Sequence, residues 1–107
     1  MTGIAGLVPY VEDNKGRFFI EIYDRKARGK GIGKKVIKLV LKYAFEELKY
    51  HKVYLRVLDI NVIAIKCYES CGFKKEGIDR EGAFINGKYF SDIYMGILVS
   101  EYGSINR

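Results

Sequence analysis

The chain has little with which to hold a metal. It carries two cysteines and one histidine among its 107 residues. Cys67 and Cys71 lie four apart on one face of a helical pattern, with His51 distant in sequence. A zinc site needs more ligands than that, so no metal is assigned and the thiols are expected to be reduced and packed. The chain also lacks an apolar run long enough to cross a membrane. Met1 is followed by neither a charged n-region nor a signal-like apolar stretch. The expectation is a soluble, cytoplasmic protein. Repeats, linkers and low-complexity segments are missing too, which leaves residues 1–107 as one domain with a modest core. With 49% hydrophobic residues and 14% aromatics, the composition argues against disorder.

What the chain has in excess is positive charge. The formal net charge of +6 suits an anionic partner. Much of it is concentrated in Arg25, Lys26, Arg28, Lys30, Lys34, Lys35 and Lys38. So dense a cluster favours a compact phosphate ligand over a long duplex. Within it runs Arg28-Gly29-Lys30-Gly31-Ile32-Gly33. Three glycines in five positions free the backbone to curl tightly and turn its N–H groups on a ligand. A helix start follows, with unsatisfied donors and partial positive charge, and the combination is a general anion site. The bland alternative is a glycine-rich turn before a solvated basic helix face. The segment is not a Walker A loop, which needs Gly at position 28 and Ser or Thr at 35, and the dinucleotide spacing G-x-G-x-x-G fails as well.

Taken in order, Gly3 to Val11 and Arg17 to Asp24 read as two strands of a hairpin around the turn cluster Asp13-Asn14-Lys15-Gly16. Phe19, Glu21 and Tyr23 share one face of the second strand, and Phe18, Ile20 and Ile22 the other. From Gly31 to Lys49 the spacing predicts a helix, with Ile32, Val36, Ile37, Val40, Leu41, Ala44, Phe45 and Leu48 as its apolar stripe. His51 reads as a helix-end cation or a plainly exposed residue. Val53 to Leu58 is a buried strand, parallel to the one before the helix because the two flank a β-α-β unit. Asp59 and Asn61 offer a cap for a second, shorter helix ended by Gly72. Phe73 to Ile85 and Tyr89 to Val99 are strands about Asn86-Gly87, which predicts a type I′ turn. Glu101 to Arg107 reads as a frayed tail.

Two motifs then carry a resemblance. Arg28, Gly31 and Gly33 fit Q/R-x-x-G-x-G/A, the pyrophosphate loop of the GNAT superfamily of acyl-CoA-dependent N-acetyltransferases. One helix and one strand later, Asn61, Ala64, Tyr68, Gly72 and Phe73 fall in a segment that resembles the family's second signature, N-x-x-A-x-x-x-Y-x-x-x-G-F. Gly77-Ile78-Asp79-Arg80-Glu81 before the Asn-Gly hairpin is similar to the branch that holds ribosomal-protein, spermidine and amino-sugar acetyltransferases. The resemblance implies an α+β GNAT fold, a mixed twisted sheet with a central β-α-β unit. It covers about Gly3 to Val99 and lacks the branch's upstream strand, two helices and further strand.

The family's chemistry is transfer of an acetyl group from acetyl-CoA, as cosubstrate, to a primary amine on a protein N-terminus, polyamine or amino sugar. The resemblance places the pantetheine arm between splayed strands, against Ile22, Tyr23, Asp24, Val57 and Leu58. It places the pyrophosphate on Arg28, Gly29, Lys30, Gly31, Ile32, Gly33 and Lys34, with Asn61 touching the coenzyme. Tyr68 matches the acid that protonates the leaving thiolate, against the plainer reading of a packed aromatic. Glu21 is the best candidate for the base, against a solvent-facing residue near a sheet edge or deprotonation through water. Two other functions compete: a catalytically idle module that binds acyl-CoA or serves in assembly, and a small basic nucleic-acid binder without a recognition helix or RNP pattern. Neither nucleic acid nor membrane is the expected partner. An open edge along Gly3 to Val11, and apolar side chains facing water, lead to the expectation of a homodimer or higher homo-oligomer.

Overall fold

The structure, a computed structural model, describes residues 3–22 and 32–105. Two strands, β1 (Gly3–Tyr10) and β2 (Lys15–Ile22), form an antiparallel hairpin that pairs Gly3 with Ile22 and Tyr10 with Lys15. A short 3-10 turn, Val11–Asp13, joins them, and Asn14 closes it in the left-handed region at φ 49°. Asn tolerates that conformation because its short polar side chain can bond locally. Here its amide donates to the Lys49 carbonyl at 3.2 Å.

Helix α1 (Ile32–Lys42) follows, buries Ile37 and Leu41, and turns Lys34, Lys35, Lys38 and Lys42 to solvent. The apolar stripe predicts an α-helix to Lys49, but the last part, Tyr43–Glu47, is a π-helical turn. Leu48 donates to the Tyr43 carbonyl at 3.0 Å, five residues back. The wider turn brings the consecutive residues Ala44 and Phe45 both into the core. Lys49 then reverses the chain at φ 59°. His51 is exposed, as read from the sequence, and its backbone N–H bonds the Asn14 carbonyl at 2.8 Å.

Strand β3 (Lys52–Leu58) alternates strictly, with Val53, Leu55 and Val57 buried. Helix α2 (Val62–Ser70) starts on Asn61, whose side chain accepts from the Ala64 N–H at 3.3 Å. It ends where Gly72 at φ +105° and Phe73 bond back to Glu69 and Tyr68, both at 3.1 Å. That pair of bonds is a Schellman motif, and the left-handed position favours glycine. Strands β4 (Lys74–Ile85) and β5 (Lys88–Leu98) meet at Asn86 (φ 50°) and Gly87 (φ 77°), both positive as a type I′ turn demands.

The sheet runs β1-β2-β3-β5-β4, with β2 and β3 parallel and the other neighbours antiparallel. Phe18, Val53, Leu55, Met95 and Ile97 form its buried layer with α1 and Phe73. The described part of the segment after β5 is not frayed. Val99–Ile105 forms α3, and Tyr102 packs on Phe45 at 4.9 Å between ring centroids and donates its hydroxyl to Glu46. Lys74 pairs with Glu101 at the start of the same helix. These contacts join distant parts of the chain, so local composition gave no sign of them. Among the described residues, no helix is long and apolar enough to cross a membrane.

Candidate functional site

The parallel pair at the centre of the sheet is short. It consists of Lys15 with Lys52, Gly16 with Val53 and Arg17 with Tyr54. Beyond Arg17 and Tyr54 the two strands part. Among the described residues, β2 from Phe18 to Ile22 is paired on one side only, to β1, and β3 from Leu55 to Leu58 is paired only to β5. Unpaired strand edges keep hydrogen-bonding groups that need partners. Two such edges facing one another across a gap suit an extended ligand that bonds both.

Tyr68 stands over the point of parting. Its ring meets Phe18, the first β2 residue beyond the parallel pairs, edge-on at 6.2 Å and 78°. It meets Phe73 at 5.8 Å and 67°. The ring is half-buried, and its hydroxyl has no hydrogen-bond partner among the described residues. Burial pushes the phenol above its ordinary value of 10.0, with the Cys67 and Cys71 thiols adding to the rise. Such a group stays a protonated acid at neutral pH.

Helix α1 packs against α2, the helix that carries Tyr68. It contains no acidic residue, and its Lys34 and Lys35 are exposed. The positive charge of Lys34 and Lys38 reaches Cys71 at the end of α2, although burial dominates and raises that thiol's pKa. A Cβ on Gly33 would meet nothing within 4 Å, so neither packing nor backbone conformation demands glycine there. Both cysteines are free thiols, Cys71 buried and Cys67 half-buried. Among the described residues no three His, Cys, Asp or Glu side chains gather as a metal site.

The other candidate residues divide by location. Tyr23, Asp24, Arg28, Gly29, Lys30 and Gly31 lie outside the described residues. Glu21, Ile22 and Ile32 are placed by backbone: Glu21 opposite Ile4, Ile22 at the end of β2 and Ile32 at the head of α1. Val57 and Leu58 close β3 at the open end of the gap. Asn61 has the capping role that competed with a coenzyme contact.

One carboxylate escaped the sequence reading. Asp92 is only 7% exposed, in register between Leu58 on β3 and Asp79 on β4. The available signal was a lone acid beside the apolar run Ile93-Tyr94-Met95. Which strands would flank it could not be read from that run.

A sheet split at its centre, with a glycine-bearing helix start and a tyrosine beside the split, belongs to the α+β class of acyltransferase folds. The family model for the acetyltransferase (GNAT) family matches residues 2–73, and the chain belongs to that family. A spermidine N(1)-acetyltransferase of Vibrio cholerae is 39% identical over 107 residues, covering 97% of this chain and 61% of the relative. The Escherichia coli K12 enzyme of the same name is 38% identical over 102 residues, 92% of this chain and 54% of the relative. A crystal structure of mutant forms of the Vibrio cholerae spermidine/spermine N-acetyltransferase superimposes with a TM-score of 0.93. It is 35% identical and covers 100% of this chain and 62% of that one. A dodecameric structure of the Vibrio cholerae spermidine enzyme gives 0.92 at 35% identity, covering 100% and 63%. The chain therefore spans about three-fifths of the length of these relatives.

Proposed function

We propose that the chain works as an N-acetyltransferase that moves an acetyl group from acetyl-CoA to a primary amine, with polyamines as the acceptor class. The observation that carries the reading is Tyr68 standing where β2 and β3 part, so that an acid overlooks a slot edged by unpaired backbone. The spermidine acetyltransferases among the relatives support the choice of acceptor.

The residues present fit the coenzyme. Backbone at Ile22 to Asp24 and at Val57 and Leu58 would pair with the pantetheine arm. Arg28 to Lys34 would hold the pyrophosphate through main-chain N–H groups at the helix start. Lys34, Lys35 and Lys38 supply positive charge along the exposed side of α1. Asn61 would contact the coenzyme while capping α2. The coenzyme supplies a thioester carbon open to attack by a neutral amine. Tyr68, kept protonated by burial, would give its proton to the departing sulfur, and Glu21 would take one from the incoming ammonium, directly or through water.

The test is to incubate the protein with acetyl-CoA and spermidine, following released thiol and acetylated amine by mass spectrometry. Protein-dependent acetylspermidine is expected. Coenzyme binding without product would refute the transferase reading and leave an acyl-CoA-binding module.

A further inference from the structure

The sheet carries helices on one side only. Ile37 of α1, Ile65 of α2 and Tyr102 of α3 all join the core built on Val53, Leu55 and Ile97. By alternation the residues between those strand positions point to the opposite face. Among the described residues, no helix packs there. Val8, Phe19, Tyr54 and Tyr94 on that face are half-buried, while Ile4 is 46% and Tyr10 50% exposed. A contiguous apolar and aromatic face of this extent marks an interface. The groove beside β1 is a separate surface, since Leu39, Val40 and Tyr43 place it on the helical side.

Register sorts the helix-free face into rows. Lys15 on β2 is level with Lys52 on β3 and Leu98 on β5. In the next row Arg17 stands beside Tyr54. Phe19 follows on β2, and Arg56 beside Tyr94 follows on β3 and β5. At the far end Leu58 is level with Asp92 and Asp79, and Glu21 on β2 is opposite Ile4. Cations therefore gather where β2 and β3 are paired, acids gather where they part, and aromatics lie between. The ion pairs of Lys52 with Glu76 and of Lys74 with Glu101 use neither Arg17, Arg56 nor Asp79. Asp92 is buried, so it contributes field rather than contact.

A face with opposite charge at its two ends is complementary to an inverted copy of itself. A twofold axis along the strands would set cations on cations. The axis across the strands sets each basic end against the acidic end of the other copy. It also brings Arg56 of each copy near Tyr54 of the other, and a guanidinium over an aromatic ring is attractive. Sheets stack face to face about 10 Å apart. Five strands about 4.8 Å apart and about 20 Å long give a face of roughly 500 Å² in projection. Side chains standing off the pleat raise its accessible area toward the roughly 800 Å² per partner of a standard interface. A partner charged uniformly with either sign would meet like charge at one end.

We infer that a second copy of this chain covers the helix-free sheet face, inverted about a twofold axis that runs across the strands. The second copy then closes the side of the gap away from Tyr68. Nothing in the inference depends on acetyl transfer. The test is sedimentation of the unaltered chain, Lys15→Glu, Glu21→Lys and the double variant, each checked for folding by circular dichroism. The parent should be dimeric at low micromolar concentration. Each single reversal should weaken the dimer about tenfold or more, because it sets like charges together. The double variant should return to within about threefold of the parent, since opposite charges face one another again. That rescue works only between copies, because the two positions lie near opposite ends of β2 within one chain. Arg56→Glu, at an exposed position, should weaken the dimer as the single reversals do. A monomeric parent, reversals that leave the dimer within about twofold, or a double variant no tighter than the singles each overturns the inference. A dimer lost in Leu39→Glu but unmoved by these reversals would put the second copy on the α1 groove, and overturns it too.

Discussion

Replacing Tyr68 with phenylalanine separates packing from chemistry at the site. The ring contacts to Phe18 at 6.2 Å and Phe73 at 5.8 Å survive the change. Each such pair is worth about 0.5–1.5 kcal/mol beyond its area, and none of that is lost. The deleted hydroxyl has no hydrogen-bond partner among the described residues, so stability should move by less than about 0.5 kcal/mol. Turnover should fall by roughly 10²–10⁴-fold if the phenol protonates the leaving thiolate, with coenzyme affinity unchanged. Tyr68→Ala is the contrast, since it removes both contacts and should cost about 3 kcal/mol. The pH profile adds a sign. Burial raises the phenol's pKa from 10.0, so the alkaline limb of kcat should lie above pH 10. The matching contribution to stability is complete below the unfolded value near 10 and is lost as pH rises through the higher folded value. Stopped-flow turnover with thermal melts of the three proteins decides the matter. A kcat for Tyr68→Phe within a factor of two of the parent refutes the acid role.

Gly33→Val should leave the fold intact, because the added Cβ meets nothing within 4 Å, while blocking backbone approach to the pyrophosphate. Calorimetry should show coenzyme A binding abolished, and unchanged affinity would sink the loop assignment. Gly72→Ala should destabilise by about 1–3 kcal/mol in urea melts, since φ is +105° and the new Cβ falls 2.5 Å from Ile105 Cδ1. A loss below about 0.5 kcal/mol would mean that the helix end relaxes freely. Tyr102 titrates at about 12, raised by burial and then by its bond to Glu46. The stability it contributes is present below pH 10 and disappears as pH rises toward 12; an unchanged alkaline slope in Tyr102→Phe would contradict this. The β1 edge and the groove of about 520 Å³ between Ala5, Leu7 and Pro9 and helix residues Leu39, Val40 and Tyr43 should be covered in a homo-oligomer. Sedimentation at low micromolar concentration should show a dimer or larger, burying on the order of 2,000 Å², and a folded monomer would refute it.

Local chemistry was legible in the sequence wherever one or two residues decide the backbone. Asn61 caps, Gly72 terminates and Asn86-Gly87 turns as their residue types require. The parallel strands were legible too, because a β-α-β connection leaves no other orientation. The number of pairs in that ladder was not, since the split after Arg17 and Tyr54 depends on how the whole sheet twists. The end of the first helix was misread because an apolar period reports which side faces the core and not how wide a turn is. Tyr43–Glu47 satisfies the period and still forms a π turn. The final helix was hidden for a different reason. Val99–Ile105 has weak local propensity and is held by the Tyr102 contacts with Phe45 and Glu46, more than fifty residues away.

On the helical side of the sheet, charge near the split is concentrated on α1. The cations there are exposed lysines on a helix surface, well suited to drawing in a multiply charged phosphate ester and to releasing it after reaction. Exposed charges of this kind are screened by salt, so the affinity for coenzyme A should fall as ionic strength rises, and a salt-independent affinity would contradict the assignment.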